Sequence, residues 1–201
     1  MKKRRPFFWV SVTLVSVLLL IGGVIAWLTH RTDSLTATQP APIPVTQPSP
    51  DQLFDIQRRV EAFSVAAESG QSAEVVLTAA DLNTLVASRP ELAGKAYVQL
   101  EGNRVNVQTA LPLDAVPGGA GRYFNGTVSL DVAIENGTLS ITPTAIATDS
   151  QPIPKEIESG ILQALSAPSL NQRINSDPRV QAWLKNVTTI QVQDGNLVIK
   201  R

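Results

Sequence analysis

"GTVSLDVAIENGTLSITPTAIAT", residues 126 to 148, alternates apolar and polar positions around an Asn-Gly pair. Val128, Leu130, Val132 and Ile134 share one face of an extended chain, and Leu139 and Ile141 resume the pattern after Asn136-Gly137. A period of two marks a strand with one buried face. Asn-Gly supplies two successive positive φ angles, which a tight antiparallel turn needs. The stretch therefore predicts a long hairpin with one side on a core.

Two further segments have the same grammar. "KAYVQLEGNRVNVQTALPL", residues 95 to 113, turns at Gly102-Asn103, and "TTIQVQDGNLVIK", residues 188 to 200, turns at Asp194-Gly195. "AEVVLT", residues 73 to 78, reads as one more short strand. Helical spacing appears between these runs. Ser49, Pro50 and Gln52 form a capping signature ahead of Leu53, Ile56, Val60, Phe63 and Ala67, and Gly70 ends that run. Thr78 and Asp81 repeat the signature ahead of Leu82, Leu85 and Val86. "IPKEIESGILQAL" (153 to 165), a turn or two in "SLNQRIN" (169 to 175) and a helix from Asp177-Pro178 bearing Val180, Trp183 and Leu184 complete the pattern. The expected class is α+β: one curved antiparallel sheet of six or seven strands with helices on its apolar face.

The N-terminus reads differently. Lys2, Lys3, Arg4 and Arg5 precede a stretch from Phe7 to Leu28 without a charge. As a helix it would span about 33 Å at roughly 1.5 Å per residue, against a bilayer core of about 30 Å. Phe7, Phe8, Trp9 and Trp27 stand at its ends, where aromatic rings favour the interface. A cleaved signal has a shorter apolar run and small residues at its cleavage site, whereas this run ends in Trp27-Leu28-Thr29-His30-Arg31. The basic residues keep residues 1–6 in the cytoplasm. Residues 7–28 form a single-pass anchor in the inner or plasma membrane. "TDSLTATQPAPIPVTQPSP", residues 32 to 50, reads as a proline-rich spacer without periodicity, so that residues 29–50 are a linker and residues 51–201 the extracytoplasmic domain.

Several chemistries are excluded or disfavoured. The chain has no cysteine, so it has no disulfide, no thiolate metal site and no cysteine nucleophile. His30 is the only histidine and lies beside the anchor, which removes a Ser-His-Asp triad and a histidine zinc site from the domain. Beyond residue 28 there are 13 basic and 17 acidic residues, about −4 in all, which disfavours nucleic acid as a partner. "GGAGRYFNGTV", residues 118 to 128, places Gly121 and Gly126 at phosphate-loop spacing, but Thr127 follows where lysine belongs and Phe124 occupies the third glycine of a dinucleotide fingerprint. No nucleotide and no cofactor is expected there. The stretch instead reads as a bend between strands whose edge offers Arg122 and Tyr123 as an exposed binding patch, with Phe124 tucked under the loop. Asp114, Asp131, Glu156 and Glu158 are candidates for carboxylate chemistry on a glycan.

"LTAADLNTLVAS" (77 to 88), "LPLDAVPGGAGRYFNGTVSLDVAIENGTL" (111 to 139), "NSDPRV" (175 to 180) and "IQVQDGNLVIK" (190 to 200), in that order, resemble a group of uncharacterised bacterial single-pass membrane proteins. The opening "LTAADLNTL" also looks, more loosely, like the start of the YpmS-like membrane-anchored proteins. The resemblance implies a topology and a fold and carries no catalytic residue. Two functions are open on this reading. One is a non-enzymatic envelope module that binds a protein, a lipid or a wall polymer. The other is a carboxylate-dependent glycan enzyme.

The hairpin reading has a direct test. Gly137→Val places a β-branched residue at positive φ and is expected to cost about 1–3 kcal/mol in denaturant unfolding, whereas Asn136→Gly stays nearly neutral.

Overall fold

A computed structural model describes residues 36–114, 120–149, 152–165 and 168–201. The expected anchor, residues 7–28, lies outside them. Among the described residues no helix is long and apolar enough to cross a membrane.

The described residues form an α+β fold with seven strands in two antiparallel sheets. Helix α1 spans Pro50–Glu68, β1 spans Glu74–Thr78, and α2 spans Ala79–Ala87. The four-stranded sheet follows as β2 (Ala96–Glu101), β3 (Arg104–Pro112), β4 (Tyr123–Glu135) and β5 (Thr138–Thr148), in that spatial order. Helices α3 (Lys155–Leu165), α4 (Pro168–Ser176) and α5 (Pro178–Leu184) lead to β6 (Thr189–Gln193) and β7 (Asn196–Lys200). The last two strands join β1 in the order β1-β7-β6.

Local chemistry accounts for the elements. Ser49 Oγ accepts from Gln52 N at 3.1 Å while Gln52 Oε1 accepts from Ser49 N at 3.2 Å, a reciprocal cap for α1. Thr78 and Asp81 do the same for α2. Ile56, Val60, Phe63 and Ala67 form the buried stripe of α1. Both Asn136 and Gly137 have positive φ, at 52° and 72°, and so do Asp194 and Gly195, at 51° and 71°. The turn at Gly102-Asn103 has positive φ at its glycine alone, the other tight-hairpin solution.

The expectation of a single sheet is corrected. Hairpins β2-β3 and β4-β5 share one sheet, and β6-β7 pairs with β1 in another. The reason lies at the edges of the four-stranded sheet, where helix side chains occupy the places a fifth strand would take. At β2, Asn83 of α2 accepts from Val98 N at 2.7 Å and donates to Val98 O at 2.8 Å. At β5, Asn175 accepts from Leu139 N (3.0 Å) and donates to Leu139 O (2.8 Å). Asn171 does the same for Ile141, at 3.0 and 3.1 Å. Four residues of helix rise about 6.0 Å and two residues of strand about 6.8 Å, so an i,i+4 asparagine pair matches successive outward positions of a strand. Pro143 is the next outward position and has no N–H to satisfy. It opposes Leu130 at a bulge, where Thr144 is the extra residue between Pro143 and Ala145.

The three-stranded sheet is closed in a related way at β1. Arg59 of α1 donates to Val76 O at 2.7 Å and pairs with Asp81 at 2.8 Å, while Asp81 also accepts from Thr78 N. Burial draws the Arg59 pKa down, but the hydrogen bonds and charges of Asp81 and Asp55 outweigh it and leave it raised.

Layering differs from the expectation too. The inner strand β4 has β3 and β5 as in-plane neighbours and also contacts β6, so the second sheet lies on a face of the first. The helices sit toward the sides: α2 contacts β1 and β2, and α3, α4 and α5 contact β5. One core joins all of it, from Val98, Val107, Phe124 and Val128 to Leu77, Ile190 and Ile199.

Asn83 is only 3% exposed. Asn83→Ala leaves the Val98 N–H and C=O unpaired and is expected to cost about 1–3 kcal/mol in unfolding free energy. Asn83→Asp is expected to cost at least as much at neutral pH, since a carboxylate cannot donate to Val98 O. A neutral Asn83→Asp change would show that the carboxamide is not what closes this edge.

Candidate functional site

The 121–126 stretch begins with Gly121 at φ 69°, whose N–H donates to Asp114 Oδ1 at 2.9 Å. Leu113 N donates to Arg122 O, which carries the β3–β4 ladder to the end of the loop. Phe124 is fully buried, as expected of a side chain tucked under the loop, and is the largest wholly enclosed one among the described residues. Gly126 has no positive φ; its constraint is proximity. A Cβ there would stand 2.2 Å from the carbonyl oxygen of Ala147 on β5. No side chain fits so close a strand approach, which is why glycine interrupts the alternation. The strand β4 starts at Tyr123, so the helix N-terminus on which a phosphate loop depends is replaced by a strand.

Arg122 and Tyr123 are half-buried, where exposure was expected. The chain's own proline-rich segment lies against them. Arg122 Nε donates to Thr36 Oγ1. Ala37 N donates to Tyr123 O at 2.9 Å and Tyr123 N to Ala37 O at 2.8 Å, an isolated antiparallel bridge beyond the end of β5. The segment bends at residues 38 and 39. Asn125 then takes hold of it. Its Nδ2 donates to Gln39 O at 2.9 Å and its Oδ1 accepts from Ala41 N at 3.0 Å, so one carboxamide brackets Pro40. Ile43 buries its side chain, while Pro40, Pro42 and Pro44 face solvent.

The segment expected to be an aperiodic spacer therefore has an order of its own. In "QPAPIPV", residues 39 to 45, every second residue is proline. Each residue before a proline is restricted to extended conformations. Ala41 and Ile43 turn toward the domain, and Pro42 between them has no N–H that would need an acceptor. The boundary expected at residue 51 runs between segments joined by hydrogen bonds and a buried side chain. Asn125, which the sequence reading passed over, is the residue that joins them. The signals in the sequence were the X-Pro period and an asparagine inside an apolar strand.

The candidate acids do not converge among the described residues. Asp114 is engaged by the Gly121 amide, and Asp131 faces Arg104 at 3.4 Å across β3 and β4. Glu156 and Glu158 lie in the first turn of α3, which contacts β5. No group of three or more His, Cys, Asp or Glu residues among the described ones could hold a metal ion. A shallow groove of about 470 Å³ runs between α1 and β1, lined by Ala62, Phe63, Ala66, Val75 and Val76. Its cation, Arg59, is tied to Asp55, Asp81 and Val76 O. On the neighbouring turn Arg58, and after it Arg59, hold the Asp55 carboxyl below its usual range against partial desolvation. That arrangement adds stability above the ordinary carboxylate range and loses it as pH falls through the lowered folded-state value. Outside the groove Phe54 is 68% and Val65 59% exposed on α1.

No family model, no curated protein and no solved structure matches this chain.

A chain cut to begin at Gln47 keeps the Ser49 cap of α1 and loses Gln39 and Ala41, the partners of the Asn125 carboxamide. It is expected to fold with its strands intact but to be less stable than one beginning at Thr36 by about 1–3 kcal/mol, through the lost burial of Ile43 and a few net hydrogen bonds. Equal melting of the two would show that the segment adds nothing to the fold.

Proposed function

We propose that the chain is a membrane-anchored, extracytoplasmic binding or structural module of the bacterial cell envelope, without catalytic activity. The observation that carries the reading is the order of its parts. A basic cluster, an uncharged span of 22 residues flanked by aromatics, seven residues, a segment bonded to the sheet from Thr36 and then the domain follow one another. The resemblance to bacterial single-pass membrane proteins agrees with this order. The partner class is a protein, lipid or wall polymer of the envelope.

Arg122 and Tyr123 belong to this reading in a revised role. The ligand they hold is the juxtamembrane part of their own chain, so an external partner meets another surface. The scattered acids favour a binding or scaffolding role over glycan cleavage, since two carboxyl groups flanking one bond need separations of about 5–10 Å in a shared cleft.

A reporter active only outside the cytoplasm, fused after Arg201, is expected to be active. The same fusion with Lys2, Lys3, Arg4 and Arg5 replaced by glutamate is expected to lose much of that activity through inverted insertion. Activity from a cytoplasmic reporter alone at that position would overturn the topology.

A further inference from the structure

We propose that residues 36–43 are a releasable latch, which holds the domain close to the membrane when docked and extends its reach when free. The proposal rests on the anchor reading for the membrane end and on the structure for the latch.

The docked segment is held by polar contacts and little apolar burial. Among the described residues they include the two-bond bridge at Ala37 and Tyr123, the Asn125 carboxamide, the bond between Arg122 and Thr36 and the buried side chain of Ile43. Past Ile43 the chain is open to solvent, with Val45 72% exposed. A region with few buried apolar contacts opens at lower free energy than the core it rests on. Its release uncovers only the bridge at Tyr123 and no strand ladder, because β4 stays paired with β3 from Tyr123 to Leu130 and with β5 from Gly126 to Glu135. Rebinding is favoured by the alternating prolines, which keep the free segment extended and so reduce the entropy lost on docking.

Reach follows from chain length. With the latch docked at Thr36, seven residues (29–35) separate the uncharged span from the domain, at most about 25 Å at roughly 3.3–3.6 Å per residue. With it released as far as the cap of α1 at Ser49, 21 residues are available, at most about 70–75 Å. The domain would then bind a partner near the bilayer in one state and a distant one in the other. A partner that holds the domain farther out than the short tether allows must open the latch, and one close to the bilayer leaves it shut.

The test uses the full chain in nanodiscs of phosphatidylethanolamine and phosphatidylglycerol. Amides of Ala37, Ala41 and Tyr123 are expected to exchange with deuterium at least about a hundredfold faster than those of Val98 and Val107, yet slower than in an unfolded chain. Ala41→Pro removes the N–H that Asn125 accepts and changes no residue of the sheets. It is expected to speed exchange at Ala37 and Tyr123 about tenfold or more and to leave Val98 and Val107 unchanged. The absence of native cysteine allows one fluorophore on Glu135→Cys, at the end of β4 remote from the latch. Energy transfer from it to a headgroup acceptor is expected to fall when Ala41→Pro is added. Exchange of Ala37 and Ala41 only together with the core would overturn the latch, as would unchanged transfer after Ala41→Pro. A chain that stays out of the discs would overturn the anchor and the reach with it. The exchange measurement on that same protein in solution would still decide whether the segment opens on its own.

Discussion

An unpaired strand edge is the constraint around which this molecule is organised. Backbone N–H and C=O groups at an edge are strong hydrogen-bonding groups, and leaving them buried without partners costs as much as losing the bonds. They also invite a further strand from the same chain or another. The four-stranded sheet meets this with asparagine. A primary carboxamide carries a donor and an acceptor on one planar group, as a peptide does. Asn83 uses it against Val98, and Asn171 and Asn175 use it against Ile141 and Leu139. The helices thereby supply what a fifth and a sixth strand would have supplied.

That closure determines the layers. Since neither edge accepts another strand, β6 and β7 pair with β1 and the resulting sheet packs on a face of the first. The β1 edge is closed by charge instead of carboxamide: Arg59 takes the outward carbonyl of Val76, Asp81 takes the outward N–H of Thr78, and the two side chains pair. Asp81 also completes the cap of α2, so one side chain fixes a helix start, a strand end and a helix–strand contact.

The same device, applied near the start of β4, joins the proline-rich segment to the domain. Asn125 treats residues 39–41 as Asn83 treats Val98, with one acceptor and one donor to a foreign backbone. Recognition through backbone groups depends little on the side chains of the segment and strongly on its conformation. The alternating prolines supply that conformation. The "GRYFNG" stretch is in this light a structural unit: a positive-φ glycine, a bridge to the segment, a core phenylalanine, a clamp and a glycine demanded by the approach of β5.

By itself the sequence determined the elements that depend on near neighbours. Three hairpins, their turn residues, two reciprocal helix caps and the buried stripe of α1 follow from periods and cap signatures within a few residues of one another, because torsional preference and local hydrogen bonding set them. What the tertiary structure alone decided is which edges meet. Alternation says which face of a strand is buried and is silent on its in-plane neighbour, so one sheet and two sheets have the same pattern. The roles of Asn83, Asn125, Asn171 and Asn175 depend on backbone groups 15 to 86 residues away, and a polar residue in a helix or strand looks the same in sequence whether it faces water or a strand edge. The standing of Arg122 and Tyr123 turned on the same point. Their chemistry suggested an open patch, and the fold brought a distant segment of the chain to cover it.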